Sequence, residues 1–408
     1  MPTPHRLLVG GYDGHILTVE FTPDGEQSTL EVTSKTACGA APTWLTLSQD
    51  RKTVYSLDEW GEPAGEVTAL SCDGLGQLTK LSSVTTGGLW PCHASLLSKS
   101  SPPRLVATNY KGASVALIPL HESGDVDLTS SSFERVELLG TGTPGPHRER
   151  QRQDHPHGAH VDPRETVVVV PDLGTDDLRV FGIRHAPSGP EGTLEELESI
   201  KLQPGSGPRH VLFSQHDGGE KLYVMNELDN SITVFAVEYP SSSALAKALS
   251  PSTSSSSRRD DAYPKFTLLQ SNVSLLPSQP FPHQTSFESW HAAELVLSPS
   301  GETLYASNRA EGHNPLHPPH STCSDLVAVF PIDSDGRLIE DERELVEIGA
   351  RCPRHFSLSE RDDARWVAVS CHDSDELVMF ERRGTDGREW REVARLEGCG
   401  KPAVALWL

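Results

Sequence analysis

The chain has 408 residues, with Lys plus Arg at 35 and Asp plus Glu at 57, a formal charge of −22. So acidic a surface repels phosphodiester backbones and anionic lipid headgroups, which argues against nucleic-acid and membrane partners. No apolar run reaches the roughly 18–20 residues of a membrane helix, and Leu7-Leu8-Val9 is too short to be the core of a signal peptide. The cysteines (38, 72, 92, 323, 352, 371 and 399) are scattered and never spaced CxxC. They read as reduced thiols, and the expected location is the cytosol.

Short apolar strands then follow one another in a repeating unit of turn, strand, polar turn, strand, turn, strand. The N-terminal Leu7–Tyr12 and Ile16–Phe21 are two such strands without a preceding partner. The first full unit starts at Pro42-Thr43-Trp44 and continues through Val54–Glu59 and Val67–Leu70. The second starts at Pro91-Cys92-His93, with Leu105–Tyr110 and Ser114–Leu117 behind it. The third starts at Pro156-His157-Gly158 and runs through Val167–Pro171, with Asp172-Leu173-Gly174, to Leu178–Phe181. The fourth starts at Pro208-Arg209-His210 and holds Leu222–Glu227 and Ser231–Phe235. The fifth comprises Trp290–Leu297, Thr303–Arg309 and Leu326–Phe330. The sixth comprises Pro353–Leu358, Trp366–Ser370 and Leu377–Phe380, and a last half-unit, Pro402–Leu406, ends the chain.

A period near 50 residues with about four short strands per unit is the pattern of a β-propeller blade. Six full units and one split between the chain ends predict an all-β, seven-bladed propeller, residues 1–408, closed by its terminal strands. Closure of that kind removes two exposed sheet edges. Residues at about 240–264, rich in Ser and ending near Arg258-Arg259-Asp260-Asp261, read as a low-complexity surface insertion.

In each blade the innermost strand starts on the face where the second strand ends, because the two are antiparallel. Strand starts therefore bring His93, His157, Arg209, His210, His291 and Arg354 toward one mouth of the central channel. Strand ends bring Asn109, Asp172, Glu227 and Arg309 to the same mouth. Three arginines among histidines and carboxylates suit a small anionic ligand. The competing reading is that such polar residues cap backbone groups and tie blades together. His313, His317, His320 and Cys323 sit in a Pro-rich loop that excludes a ligating helix, so no metal is assigned. Arg148, Arg150 and Arg152 alternate with Glu149 and glutamines and read as a solvated loop. The GxGxxG of Gly140, Gly142 and Gly145 has prolines where a phosphate-binding helix would start.

The same residues carry a family resemblance. His155-Pro156-His157, Asp162-Pro163, Val169–Gly174, Gly205–His210, Asn226-Glu227-Leu228 and Leu304–Arg309 together resemble the seven-bladed propeller lactonases. That family contains bacterial-type 6-phosphogluconolactonases and fungal 3-carboxy-cis,cis-muconate lactonizing enzymes. The resemblance runs from Gly10-Gly11-Tyr12 to Pro353-Arg354. It implies an active site at His157, Arg209, Glu227 and Arg309, with His93, Asn109, Asp172, His210, His291 and Arg354 around the substrate. It departs at Gly10-Gly11-Tyr12-Asp13 and at Asn109-Tyr110-Lys111-Gly112-Ala113, where the family commonly has Gly-Thr-Tyr-Thr and Asn-Tyr-x-Gly-Gly.

The expected function is hydrolysis of an anionic sugar lactone such as 6-phosphogluconolactone, with no cofactor. Water activated by His157 or Glu227 would attack a carbonyl polarised by Arg209 and Arg309. Two alternatives stand beside it: a lactone-forming cycloisomerase acting on a polycarboxylate, and a non-catalytic propeller scaffold.

Overall fold

The computed structural model describes residues 3–100, 102–127, 133–184, 193–241, 262–278, 290–310, 325–384 and 387–408. Most of the Ser-rich insertion (242–261) and the His-rich loop (311–324) lie outside the described residues. The strands form seven separate antiparallel sheets, arranged as a seven-bladed β-propeller. In chain order the full blades span residues 42–85, 91–137, 156–201, 208–274, 290–347 and 353–397.

The seventh blade joins the ends of the chain. Strand Pro402–Trp407 pairs antiparallel with His5–Gly11, with Leu7 opposite Trp407 and Val9 opposite Ala405, and strands His15–Thr22 and Thr29–Ala37 complete the sheet. The C-terminal strand packs against the first strands of both the 353–397 and the 42–85 blades, so the innermost strands run in an unbroken circle. That is the closure the split repeat predicts.

Each blade is a poor globule alone, and the core lies between blades. Seven apolar clusters each draw side chains from two neighbouring sheets. One joins Leu8, Ile16 and Val404 of the closing blade to Leu45, Val54 and Leu70 of the next. Another joins Leu7, Phe21 and Trp407 to Trp366 and Met379. Second strands, covered by a neighbour on both faces, are buried throughout: Thr53–Asp58, Arg104–Asn109, Val167–Asp172 and Trp366–Cys371. Fourth strands, such as Thr29–Ala37 and Leu78–Thr85, form exposed outer edges and carry polar residues.

A single irregularity recurs where the site is built. In five blades the register shifts at the start of the innermost strand, between Pro42 and Trp44, Pro91 and His93, Pro208 and His210, Pro353 and His355, and Pro402 and Val404. Each is a β-bulge that leaves one residue unpaired and re-aims its side chain. Thr43, Cys92, Arg209, Arg354 and Ala403 occupy these bulges. The third blade shows the same device in a looser form. Pro156 bridges Asp172, while the ladder proper begins only at His160–Val161. A Cβ at Gly158 would lie 2.2 Å from His160 Nε2, so glycine there makes room for that imidazole.

Closure through the terminal strand gives a stability prediction. Deleting residues 401–408 strips the partner from Leu7–Gly11 and exposes two blade interfaces, so a large fall in melting temperature is expected. A truncated chain that melts like the full-length protein would disprove closure.

Candidate active site

Register explains which side chains meet at the channel mouth. The last residue of each second strand pairs with the first residue of the innermost strand: Asp58 with Pro42, Asn109 with Pro91, Asn226 with Pro208, Cys371 with Pro353. The residue after it sends its backbone N–H to the carbonyl of the residue before the innermost strand. These bonds run from Glu59 to Ala41, Tyr110 to Trp90, Glu227 to Gly207 and His372 to Cys352. Tyr12, Glu59, Tyr110 and Glu227 occupy that following position and line the mouth, joined by Arg309, the last but one residue of its strand, opposite His291.

Glu227 is the hub. It is fully buried, and Arg150, Arg209 and Arg309 all pair with it. Arg309 Nη2 lies 3.3 Å from Glu227 Oε1 and Arg209 Nη1 lies 3.3 Å from Oε2, while Arg150 Nη2 contacts Oε1 closely. Burial alone would favour the neutral acid, but the charges of Arg309, Arg150, Arg209 and the nearby His291 hold Glu227 far below the usual carboxylate range. It is therefore a fixed negative charge.

Arg209 is oriented by its Nε, which donates to the Ala293 carbonyl at 2.7 Å. Its Nη1 also contacts the His157 ring, approaching Nε2 closely and Nδ1 at 3.2 Å. Burial and the neighbouring charges of Arg309 and Arg354 lower Arg209 to about 10. His157 is pushed well below the ordinary imidazole value by burial and then by Arg209, so it stands neutral at neutral pH. Tyr110 covers it edge-on with ring centroids 5.3 Å apart. Across the mouth, Arg354 lies over the Tyr12 ring at 5.7 Å, and the Tyr12 hydroxyl donates to Glu59 Oε2 at 3.0 Å.

Two structural carboxylates hold the elements that carry these groups. Asp176 accepts the backbone N–H of Gly205 and Gly207 at 2.7 and 2.8 Å, fixing the entry to Arg209. Gly207 has φ +59°, and a Cβ there would meet the Leu228 side chain at 2.4 Å, so only glycine fits. Gln151 ties the loop bearing Arg150 to the Leu173 carbonyl and to Asp176. Asp154 accepts Gly140 N–H, Gly142 N–H and the Arg179 guanidinium, so two of the three glycines wrap a buried carboxylate, while Gly145 N–H donates to the Gly174 carbonyl.

Of the ten residues singled out from sequence, His157, Arg209, Glu227, Arg309, His291 and Arg354 gather at the mouth. His93 and His210 lie one level deeper. They belong to a buried layer with Trp44, His160, Glu294 and His355, in which the imidazole centroids of His93, His160 and His210 lie 4.4–5.4 Å apart. Burial lowers every imidazole of this layer and raises the Glu294 carboxyl, which pairs with His210 Nδ1 at 3.1 Å.

Asn109 and Asp172 do not face the mouth. Asn109 donates to Ser114 Oγ and accepts from Thr86. Asp172 accepts the His155 and Gly174 N–H groups and lies 3.6 Å from Arg179. Both are last residues of their strands, one step short of the position that looks into the channel. Arg150 corrects a second expectation: it is no solvated-loop residue but a partner of Glu227. Nothing in its spacing reveals this. Tyr12, Glu59 and Tyr110 were recoverable from the repeat, since each occupies the same register position as Glu227.

This mouth sits in a recognised fold family. The seven-bladed β-propeller lactonase model matches residues 6–399, and the chain belongs to that family. Among curated relatives it is 29% identical over 405 residues to the "Probable 6-phosphogluconolactonase" of Arthroderma benhamiae, covering 98% of this chain and 88% of that one. It is 28% identical over 381 residues to the 6-phosphogluconolactonase of Bacillus subtilis, covering 93% and 90%. Among solved structures, a "putative 6-phosphogluconolactonase" from Bacteroides fragilis superposes with a TM-score of 0.76 at 25% identity, covering 100% of both chains. The periplasmic gluconolactonase of Pseudomonas aeruginosa shares the fold, with a TM-score of 0.75 at 24% identity and coverage of 100% and 99%. No helix among the described residues is long and apolar enough to cross a membrane.

Two substitutions separate hub from scaffold. Glu227→Gln leaves three guanidinium groups without their shared counter-charge. Breaking a buried pair from one side costs about 3–5 kcal/mol, so chemical denaturation is expected to show a loss of that size. Asn109→Ala, by contrast, is expected to lower the melting temperature while leaving the affinity for anionic ligands unchanged. Altered affinity with unaltered melting would return Asn109 to the site.

Proposed function

We propose that this channel mouth hydrolyses an anionic sugar lactone, with 6-phosphogluconolactone as the leading substrate. The observation that carries the reading is the buried Glu227 carboxylate gripping Arg150, Arg209 and Arg309 beside a neutral His157. With Arg354 opposite, four guanidinium groups face two carboxylates, Glu227 and Glu59, so the mouth is cationic in a chain of charge −22. Arginine forks onto phosphate or carboxylate with two charge-assisted bonds, which suits this substrate class.

Roles follow from the protonation states. Glu227, held ionised by three cations, is too weak a base to activate water; it fixes the arginines. His157 keeps a basic lone pair at neutral pH and is the general base. The His157 ring lies against Arg209 Nη1, which takes up that lone pair. A substrate anion that recruits Nη1 releases the imidazole, while the Nε bond to Ala293 keeps the guanidinium in place. Water then gives its proton to His157 and its oxygen to the lactone carbonyl. Arg209 and Arg309 stabilise the oxyanion as the ring C–O bond breaks, and the imidazolium returns the proton to the leaving alkoxide. We place the enzyme in the cytosol, a reading supported by the free state of the described cysteines.

A panel of 6-phosphogluconolactone, unphosphorylated gluconolactone and 3-carboxymuconate, assayed with EDTA present, tests the assignment. Selective turnover of the phosphorylated lactone is expected; turnover of the muconate alone would reassign the mouth to cycloisomerisation. Arg209→Lys and Arg309→Lys should fold normally yet lose about 2–4 kcal/mol of transition-state stabilisation, roughly two to three orders of magnitude in kcat/KM. Wild-type kinetics in either variant would remove that arginine from the mechanism.

The pH profile follows from the same shifts. The base must be neutral, and its pKa is lowered, so kcat/KM should stay level as pH falls through 6.5 and decline only well below it. Arg209 must be charged, so an alkaline limb is expected near 10 after subtraction of spontaneous hydrolysis. An acid limb centred at 6.5 would exclude His157 in this environment as the base.

A further inference from the structure

Six cysteines lie among the described residues, all as free thiols. Four have an apolar setting: Cys38 and Cys72 pack in the cluster beside the closing blade, Cys371 and Cys399 in two others. Cys352 belongs to none of these clusters, although it is only 6% exposed. It precedes the strand Pro353–Leu358, while His372 and Asp373 open the turn after the neighbouring strand Trp366–Cys371. A backbone bond of 2.9 Å from His372 N–H to the Cys352 carbonyl clamps the two segments together. One donor atom each of Cys352, His372 and Asp373 lies within 4.8 Å of the other two.

We propose that Cys352, His372 and Asp373 form a site for a thiophilic divalent cation, with Zn²⁺ the ion that the donor set fits best. Sulfur, imidazole nitrogen and carboxylate oxygen together suit zinc, whereas magnesium and calcium take oxygen ligands. A tetrahedral Zn²⁺ with bonds of about 2.0–2.3 Å draws its donors to roughly 3.3–3.6 Å apart. The His372 and Asp373 side chains, 25% and 28% exposed, have the freedom to make that adjustment of around 1 Å and to open the 2.7 Å contact between His372 Nδ1 and Asp373 Oδ1. Their solvent-facing side leaves the fourth position to water, a three-ligand arrangement open to exchange.

Charge balances as well. The metal displaces the Cys352 thiol proton to solvent, and thiolate plus carboxylate then neutralise the two charges of the ion. This matters because Arg309 and Arg354 act on Cys352 electrostatically and would repel a less compensated cation. The His372 ring meets the Tyr12 ring edge-on at 5.0 Å, so the ion would sit on the rim of the mouth and not within it. The site stands independently of the lactone reading.

Cobalt supplies a visible probe. The purified full-length protein, stripped with EDTA and exchanged into metal-free buffer, is titrated anaerobically with Co²⁺. One equivalent is expected to produce a thiolate-to-cobalt charge-transfer band that one equivalent of Zn²⁺ abolishes. Cys352→Ser should eliminate the band, and His372→Gln and Asp373→Asn should each weaken binding by about tenfold or more. The double variant His317→Ala, His320→Ala, which alters the other His-rich segment, should retain it. No thiolate band, or a band that survives Cys352→Ser or disappears in the His317/His320 variant, overturns the proposal. Should Cys352→Ser fail to fold, unchanged cobalt affinity in His372→Gln does the same.

Discussion

Pairing of the last strand with the first is the constraint on which the molecule depends. Seven sheets that bury their apolar surface only against neighbours have no stable open form. An unclosed array leaves two faces, such as those of Leu8 and Leu45, in water. Closure is entropically costly because it joins residues nearly 400 positions apart, yet it completes two apolar clusters at once. Joining the ends inside one sheet, not by packing two finished blades, adds a ladder of backbone hydrogen bonds to that gain. The ring also sets the channel radius, and with it the distance across which Arg309 and Arg209 can share one carboxylate.

Within the ring, Glu227 decides the chemistry of its surroundings. Three guanidinium groups held this close would repel one another in a water-poor channel, and a buried carboxylate is the least bulky compensation. The arginines in turn keep Glu227 ionised, and burial together with Arg209 keeps His157 neutral. One buried carboxylate thus gathers three guanidinium groups around itself. Pre-set geometry of this kind spares an enzyme the reorganisation that water would need around a developing oxyanion.

Much of this was legible in the sequence because a propeller repeats its errors and its rules alike. The apolar first, second and third strands have blade-to-blade burial, so the period near 50 shows through clearly. Fourth strands such as Glu134–Glu137 and Glu344–Glu347 face solvent on an outer edge and leave almost no pattern. The site was legible to within one residue. Asn109 and Asp172 end their strands, whereas Glu227 follows the last residue of its strand and Arg309 precedes the last residue of its own, and a single step along a strand reverses the facing side. Bulges at Arg209 and Arg354 break that alternation and bring two successive residues inward, which alternation alone does not reveal. Arg150 was illegible for a different reason: its position depends on Gln151, Asp176 and Asp154, contacts made by a loop without periodicity, within itself and to the blade that follows it.

The imidazole layer beneath the arginines has a physical reason that follows from the same electrostatics. Leucines there would place a low-dielectric floor under four guanidinium groups and raise the cost of keeping them charged. Carboxylates would neutralise the mouth and abolish its attraction for anions. Neutral imidazoles do neither. His93 accepts the Ala159 N–H through Nδ1, and His160 accepts that of Val211 through Nε2, so the layer satisfies backbone donors on the inner strands while adding no charge. Glu294, its one acidic member, is pushed toward its neutral form by burial and pairs with His210. The floor is thereby polar, with its imidazoles held toward the neutral form, and the positive potential of the mouth is left for the ligand.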